Sequence, residues 1–309
     1  MPKQPGAKKP PSSRTAVASA PGSPTAKLPD RPAIKAHLAA VRGRARGAAL
    51  DAAQELIYQA WDAPSRKASI SLAKRALEIS PLCADAYVLL AEESTRSLQE
   101  AADLYALGVE AGELALGPRP FKEDVGHFWG VLETRPYMRA RCGLAQTLWA
   151  AGQRDAAIAH YRDMLRLNPN DNQGIRDLLA ACLLATGDDA ALAQLLKQYD
   201  EDAGTTWCYT KALLAFRVGG DSGAAESRLA EAVQSNAHVP AYLAGEKKLP
   251  RGMPAYVTWG GEDEAAEYAR AYSAAWSVTP GALDWLAQRA ARQRPTRKRR
   301  ARSARSAAP

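Results

Sequence analysis

The chain has 309 residues, 47% of them hydrophobic, enough for one large core or for an extended array. No stretch approaches 18 consecutive apolar residues, which argues against a transmembrane span, and the start MPKQPGAKKPPSS lacks the apolar run of a secretory signal. The net charge of +8 sits at the ends: residues 1–49 hold ten Lys/Arg against one acid, 291–309 hold eight against none, and 50–290 hold 23 against 32, so the middle is a poor nucleic-acid-binding core.

Residues 1–49 are dominated by Pro, Ser, Ala and Lys and read as a disordered basic region, because few groups there can offset the entropy of ordering. Residues 33–49 have some helical character, weakened by Gly43 and Gly47. Helical periodicity starts at about residue 50. Residues 51–81 give AAQELIYQAW, a break at Pro64, then ISLAKRALEISP. Residues 84–112 give ADAYVLLAEES and LQEAADLYALGVEAG. Residues 113–137 interrupt this pattern and carry Phe121, His127, Phe128 and Trp129. The pattern returns at 138–169, where Leu144, Ala145 and Leu148 form a stripe, Gly152 breaks the helix, and Ala157, Ile158, Tyr161 and Leu165 form the next stripe before Pro169. Ala145 and Ala157 are small where two helices would approach closely. Residues 172–200 and 206–240 supply two further hairpins.

Residues 241–290 read as a loop rich in Pro and Gly, a helix over 262–276 with acids in its first turn, and a final short helix opened by Thr279 as cap and Pro280 at its first position. Tyr268, Tyr272 and Trp276 share one face, suited either to cap an apolar array end or to meet a partner. Pro295 stops that last helix, and 291–309 read as a disordered basic tail. Within it Arg297, Lys298, Arg299 and Arg300 form an unbroken run, which is either a solvated tail or a weak, salt-sensitive contact for nucleic acid or an anionic surface.

Starts at Met138 and Asn172 stand 34 residues apart, and two helices at that period predict an all-α fold, an alpha-alpha superhelix flanked by disordered basic termini. The hairpins resemble tetratricopeptide repeats. In 138–169 the match is carried by Leu144–Ala145, Leu148, Ala157, Tyr161 and Pro169, and it departs where Leu165 stands in place of a late Ala. The 50–81 hairpin has that late residue as Ala76 and closes on Pro81. In 84–112 Tyr87, Leu90–Ala91, Ala101 and Tyr105 match across a shortened turn. The 172–200 unit matches at Leu178–Leu179, Ala191 and Leu195 without a closing Pro, and 206–240 diverges most. The segments KRALEISPLCADAY and YVLLAEE also resemble the ST7-like (suppressor of tumorigenicity 7) helical-repeat proteins and bacterial relatives, a resemblance that implies a scaffold and no catalytic residues.

Catalytic signals are sparse. Histidines at 37, 127, 160 and 238 have no i, i+4 partner, and no phosphate loop or nucleophile elbow occurs, so no metal or cofactor is expected. Neighbouring acids such as Glu92–Glu93 and Asp188–Asp189 diverge on a helix or turn. Cysteines 83, 142, 182 and 208 form no C-x-x-C pair and read as buried thiols in a reducing, cytoplasmic setting. Arg141, Arg176 and Lys211 recur one unit apart and, with Trp149, suggest a basic ladder along a concave groove that binds a peptide carboxylate or acidic segment; the competing reading pairs them with acids such as Asp171 and Asp177. His127 and Trp129 mark the insertion as either a plug between repeats or part of a ligand groove. The leading expectation is a non-enzymatic scaffold for protein or peptide partners. The alternatives are an enzyme with an atypical site in the insertion and an adaptor acting through the basic tail.

Overall fold

The computed structural model describes residues 47–252 and 257–293, the last three by their backbone alone. Residues 1–46 and 294–309, where disordered basic ends and the Arg297–Arg300 run were expected, lie outside the described residues. Among the described residues there are fourteen α-helices, one 3-10 turn and no strand, and no helix is long and apolar enough to cross a membrane. The chain divides into two compact units, one ending at Ala157 and the other starting at Ile158.

The first unit holds α1 (Ala48–Trp61), α2 (Arg66–Ile79), α3 (Ala84–Ser94), α4 (Leu98–Leu116), the short α5 (Pro120–Glu123), a 3-10 turn (Leu132–Thr134) and α6 (Arg135–Ala150). Helix α1 buries Ala53, Ile57 and Ala60, one face at i, i+4, i+7. Ser65 starts α2 by accepting the Ala68 N–H at 3.3 Å, and Ser97 starts α4 by accepting the Glu100 N–H at 3.2 Å. Every residue of α3 from Ala84 to Ala91 is buried, because α1, α2, α4 and α6 all pack against it.

The closest packing joins α4 to α6. A Cβ on Gly112 would stand 2.9 Å from Tyr137 Cβ, a Cβ on Gly108 would stand 3.1 Å from Ala140 Cβ, and a Cβ on Gly143 would enter the Tyr105 ring. These three contacts run in opposite senses along the two helices, so α4 and α6 form an antiparallel pair. The intervening 117–134 stretch is therefore a long connection rather than a break in the stack. Helix α4 runs on to Leu116 and α6 starts at Arg135, both inside the expected insertion. Gly152, at φ 81°, ends the α6 turn as the sequence suggests.

The connection is anchored by aromatics. Phe128 is wholly buried, with ring centroids 5.1 Å from Phe121 and 6.1 Å from Tyr137. The Thr134 hydroxyl donates to the Phe128 carbonyl and, at 2.9 Å, to that of Val131. Phe121, Phe128 and Tyr137 thus pack together within the first unit, while His127 stays exposed.

The second unit holds the rest of α7 (Arg154–Leu167), then α8 (Ile175–Thr186), α9 (Asp189–Gln198), α10 (Thr205–Gly219), α11 (Gly223–Ser235), α12 (Val239–Leu243), α13 (Glu262–Val278) and α14 (Ala282–Gln293). Asp171, in the left-handed region at φ 50°, opens α8 by accepting the N–H groups of Ile175 at 2.7 Å and Arg176 at 2.9 Å. Asp188 and Ser222 cap α9 and α11 in the same manner. Helix α13 carries its acids Glu262, Asp263 and Glu264 in the first turn, where they oppose the positive helix end.

Tyr268, Tyr272 and Trp276 are buried on one face of α13. Trp276 Nε1 donates to the Tyr268 hydroxyl at 2.8 Å, and the Tyr272 hydroxyl donates to the Asp177 carbonyl at 2.7 Å. This face is core, packed on α8 and α10, and is not a contact site. One local expectation is corrected. Thr279 does not cap the last helix: its hydroxyl donates back to the Ala275 carbonyl at 2.8 Å, closing α13, and α14 starts at Ala282. A turn around Thr279-Pro280-Gly281, with Gly281 at φ 77°, separates the two helices.

Candidate functional site

Helices α1, α3 and α6 are parallel neighbours in the first unit, since α1 and α3 are joined through antiparallel α2, and α3 and α6 through antiparallel α4. Side chains from all three meet at Asp85, which is wholly buried. Gln54 Nε2 donates to its Oδ2 at 2.9 Å, and Arg139 grips it with Nε at 2.7 Å and Nη2 at 2.5 Å. The Arg139 guanidinium also lies 5.3 Å from the centre of the Trp61 ring.

The Gln54–Asp85 bond sets the register between α1 and α3. One turn further along stand Tyr58 and Leu89, and two turns further stand Trp61 and Glu92, each set on one stripe of its helix. Arg66 marks the same level from α2, donating to the Glu93 carbonyl at 2.5 Å and lying 3.5 Å from its carboxylate. Tyr58 is 52% exposed and Trp61 37% exposed, with ring centroids 5.6 Å apart. Leu89, one turn beyond Asp85 on α3, is buried. Glu92 keeps contact with water, yet the protein crowding its flanks pushes its carboxyl up to about 7; the like charges of Glu93 and Asp85 add to this and Arg139 opposes it.

The ladder of cations takes a different form from the expected one. Arg176 Nη2 donates to Asp202 Oδ2 at 2.6 Å, Nη1 lies 3.6 Å from Asp171 Oδ2, and the guanidinium stacks 5.1 Å from Tyr199 and 5.7 Å from Trp207. Lys211 Nζ donates to Asp200 through its carboxylate at 2.7 Å and its carbonyl at 2.9 Å. Both cations are thus engaged within the second unit, and the expectation that they present open charge to an acidic peptide is corrected. Arg141 in the first unit donates to the Tyr137 hydroxyl at 2.8 Å and packs over that ring. Trp149 is half-buried under Arg154, whose guanidinium lies 5.4 Å from the ring.

In the connection between α4 and α6, His127 is exposed on a turn closed by its own N–H to the Asp124 carbonyl at 3.0 Å, rather than set in a pocket. Trp129 is half-buried against Arg135, which donates to its carbonyl at 3.0 Å. Among the described residues no group of three His, Cys, Asp or Glu side chains could hold a metal ion. The Cys83 and Cys182 thiols are buried, which pushes both up to about 12 and keeps them as inert thiols at neutral pH; Cys142 and Cys208 are half-buried.

Tyr58, Trp61 and Arg139 were not singled out in the sequence, and Glu92 was read only as one of two diverging acids. The signal that marks them is the i, i+4, i+7 stripe Gln54–Tyr58–Trp61, polar and aromatic on the flank of an otherwise Ala-rich helix. Their convergence depends on pairing between helices that sequence spacing does not supply.

The fold and this face define a class: an all-helical protein assembled from packed helical hairpins, with a polar and aromatic face on the first helices of its hairpins. The family model described as ST7 protein matches residues 46–292, and the chain belongs to that family. It is 29% identical over 283 residues to the suppressor of tumorigenicity 7 protein of Macaca fascicularis, covering 76% of this chain and 52% of that one. It is 28% identical over 257 residues to the Protein ST7 homolog of Drosophila melanogaster, covering 75% and 47%. The mouse protein (Mus musculus) matches at 29% over 283 residues, covering 76% and 48%. The chain spans about half the length of the curated relatives it matches.

Proposed function

We propose that this ST7 family member is a non-enzymatic scaffold whose hairpins, of the tetratricopeptide type, hold protein partners through the face formed by α1, α3 and α6. The observation that carries this reading is the exposed Tyr58–Trp61 pair, set beside the Asp85–Arg139 network on the first helices of successive hairpins. Large aromatics are enriched where partners bind and are costly to leave in water, while the buried ion pair beneath holds their backbone rigid. A reducing, cytoplasmic setting accords with the two buried thiols and the spacing of all four cysteines.

Affinity capture with the full chain tests the reading. A chain carrying Tyr58→Ala and Trp61→Ala should fold as the parent does and lose a defined set of captured proteins. Recovery of the same set by both chains would sink the proposal. Repeating the capture without residues 294–309 separates contacts made by the basic tail, which should weaken steeply as salt is raised.

A further inference from the structure

Charge balance differs among the three acids at this face. Asp85 is matched by Arg139, and Glu93 by Arg66. Glu92 makes no hydrogen bond or ion pair among the described residues, although it stands level with Trp61 at the same end of the stack. Helices α1 and α3 both end there, neither with a basic residue in its own last turn; Arg66 of α2 meets the Glu93 carbonyl at the end of α3, and Arg139 lies over Trp61, but neither makes an ion pair with Glu92. One face of Trp61 is already under Arg139, but Tyr58 is half open, and an aromatic face with a nearby carboxylate attracts a cation.

We propose that the C-terminal ends of α1 and α3 form a cation-binding recess, in which Tyr58, Trp61 and Glu92 receive an arginine or lysine side chain from a basic segment of a protein partner. The inference rests on the scaffold reading above and names the chemistry of its partner. The preference is opposite to that of the basic ladder expected from the sequence: the open charge here is acidic. Groups facing Glu92 are Glu93 and Asp85 on its own helix, Arg139 from α6 and Tyr105 from α4. An arriving cation favours the ionised carboxyl, so binding releases a proton and tightens as pH rises through about 7.

The test is fluorescence anisotropy with the full chain and a fluorescein-labelled peptide of alternating arginine and glycine, against the same peptide with citrulline for arginine. The arginine peptide should bind and the citrulline peptide should not. Glu92→Gln should weaken binding about three- to fivefold and abolish its pH dependence between about pH 6 and 8; Tyr58→Ala should weaken it by a similar factor. Glu133→Gln, which removes an exposed acid elsewhere in the same unit, should change binding less than twofold. Thermal unfolding of each variant should match the parent. Equal weakening by Glu92→Gln and Glu133→Gln would overturn the recess in favour of a diffuse field. Binding seen only after removal of residues 294–309 would assign the recess to the chain's own tail and overturn the partner reading. If capture depends on Tyr58 and Trp61 while the arginine peptide ignores Glu92, the scaffold stands and the cation inference alone falls.

Discussion

Asp177 carries a pH signature that belongs to one side chain. Burial pushes its carboxyl from the ordinary 3.8 to about 7; Arg176 opposes the rise, while Asp171, Asp202 and Glu267 reinforce it. Between those two values the folded chain binds the proton and the unfolded chain does not. Stability therefore falls as pH rises from about 4 to 7, and is level above that window. The full effect is on the order of 2–4 kcal/mol. Asp177→Asn should flatten this part of the profile, read as urea midpoints at successive pH values; an unchanged slope would assign the dependence elsewhere. The sequence offered Asp171 and Asp177 alike as counter-ions to the cations Arg141, Arg176 and Lys211. Asp171 makes the ion pair with Arg176 while Asp177 acts on it only through its field, and the second ion-pair partner, Asp202, arrives from the loop before α10 at a separation no helical period predicts.

At the scale of the element, the joint between helices is more telling than the helices themselves. Arg139 ties α6 to α3 through Asp85, and Gln54 ties α1 to the same carboxylate. Replacing Arg139 by Met strands a wholly buried charge and should cost about 3–5 kcal/mol in chemical denaturation. Adding Asp85→Leu should recover much of that loss, and strict additivity of the two substitutions would contradict a coupled pair. Gly143 tests the other joint. In a helix, Gly→Ala normally gains about 1 kcal/mol, but here the new methyl would meet the Tyr105 ring, so Gly143→Ala should instead destabilise by roughly 1–3 kcal/mol. Helix spans, breaks at Pro64 and Gly152, and the buried face of α13 were legible because each is written in local spacing. The antiparallel pairing of α4 with α6 across residues 117–134 was not, since those residues read as an interruption while their aromatics fold back onto Tyr137.

For the molecule as a whole, charge is segregated along the chain. The described span, 47–293, carries 24 basic residues against 32 acids, while the two ends carry the surplus of Lys and Arg. A chain shortened to 47–293 should therefore lose retention on heparin that the full chain shows at low salt, with its unfolding midpoint unchanged. Retention equal to that of the full chain would move the anion contact into the folded body. This segregation also bears on the basic ladder. Arg176 and Lys211 fall at repeat-related positions, yet each spends its charge on an acid within the second unit.

The sequence by itself determined that this chain is helical, where its hairpins begin and end, that its charge lies at its ends, and its likeness to the ST7 proteins. Those properties follow from local causes: apolar period, caps, glycines and prolines, and composition. Tertiary structure alone decided which charges remain open. Whether an acid or a base faces solvent depends on what neighbouring helices bring within a few ångströms, and that pairing engaged Arg176 and Lys211 with acids while leaving Glu92, on the level of Trp61, without an ion pair among the described residues.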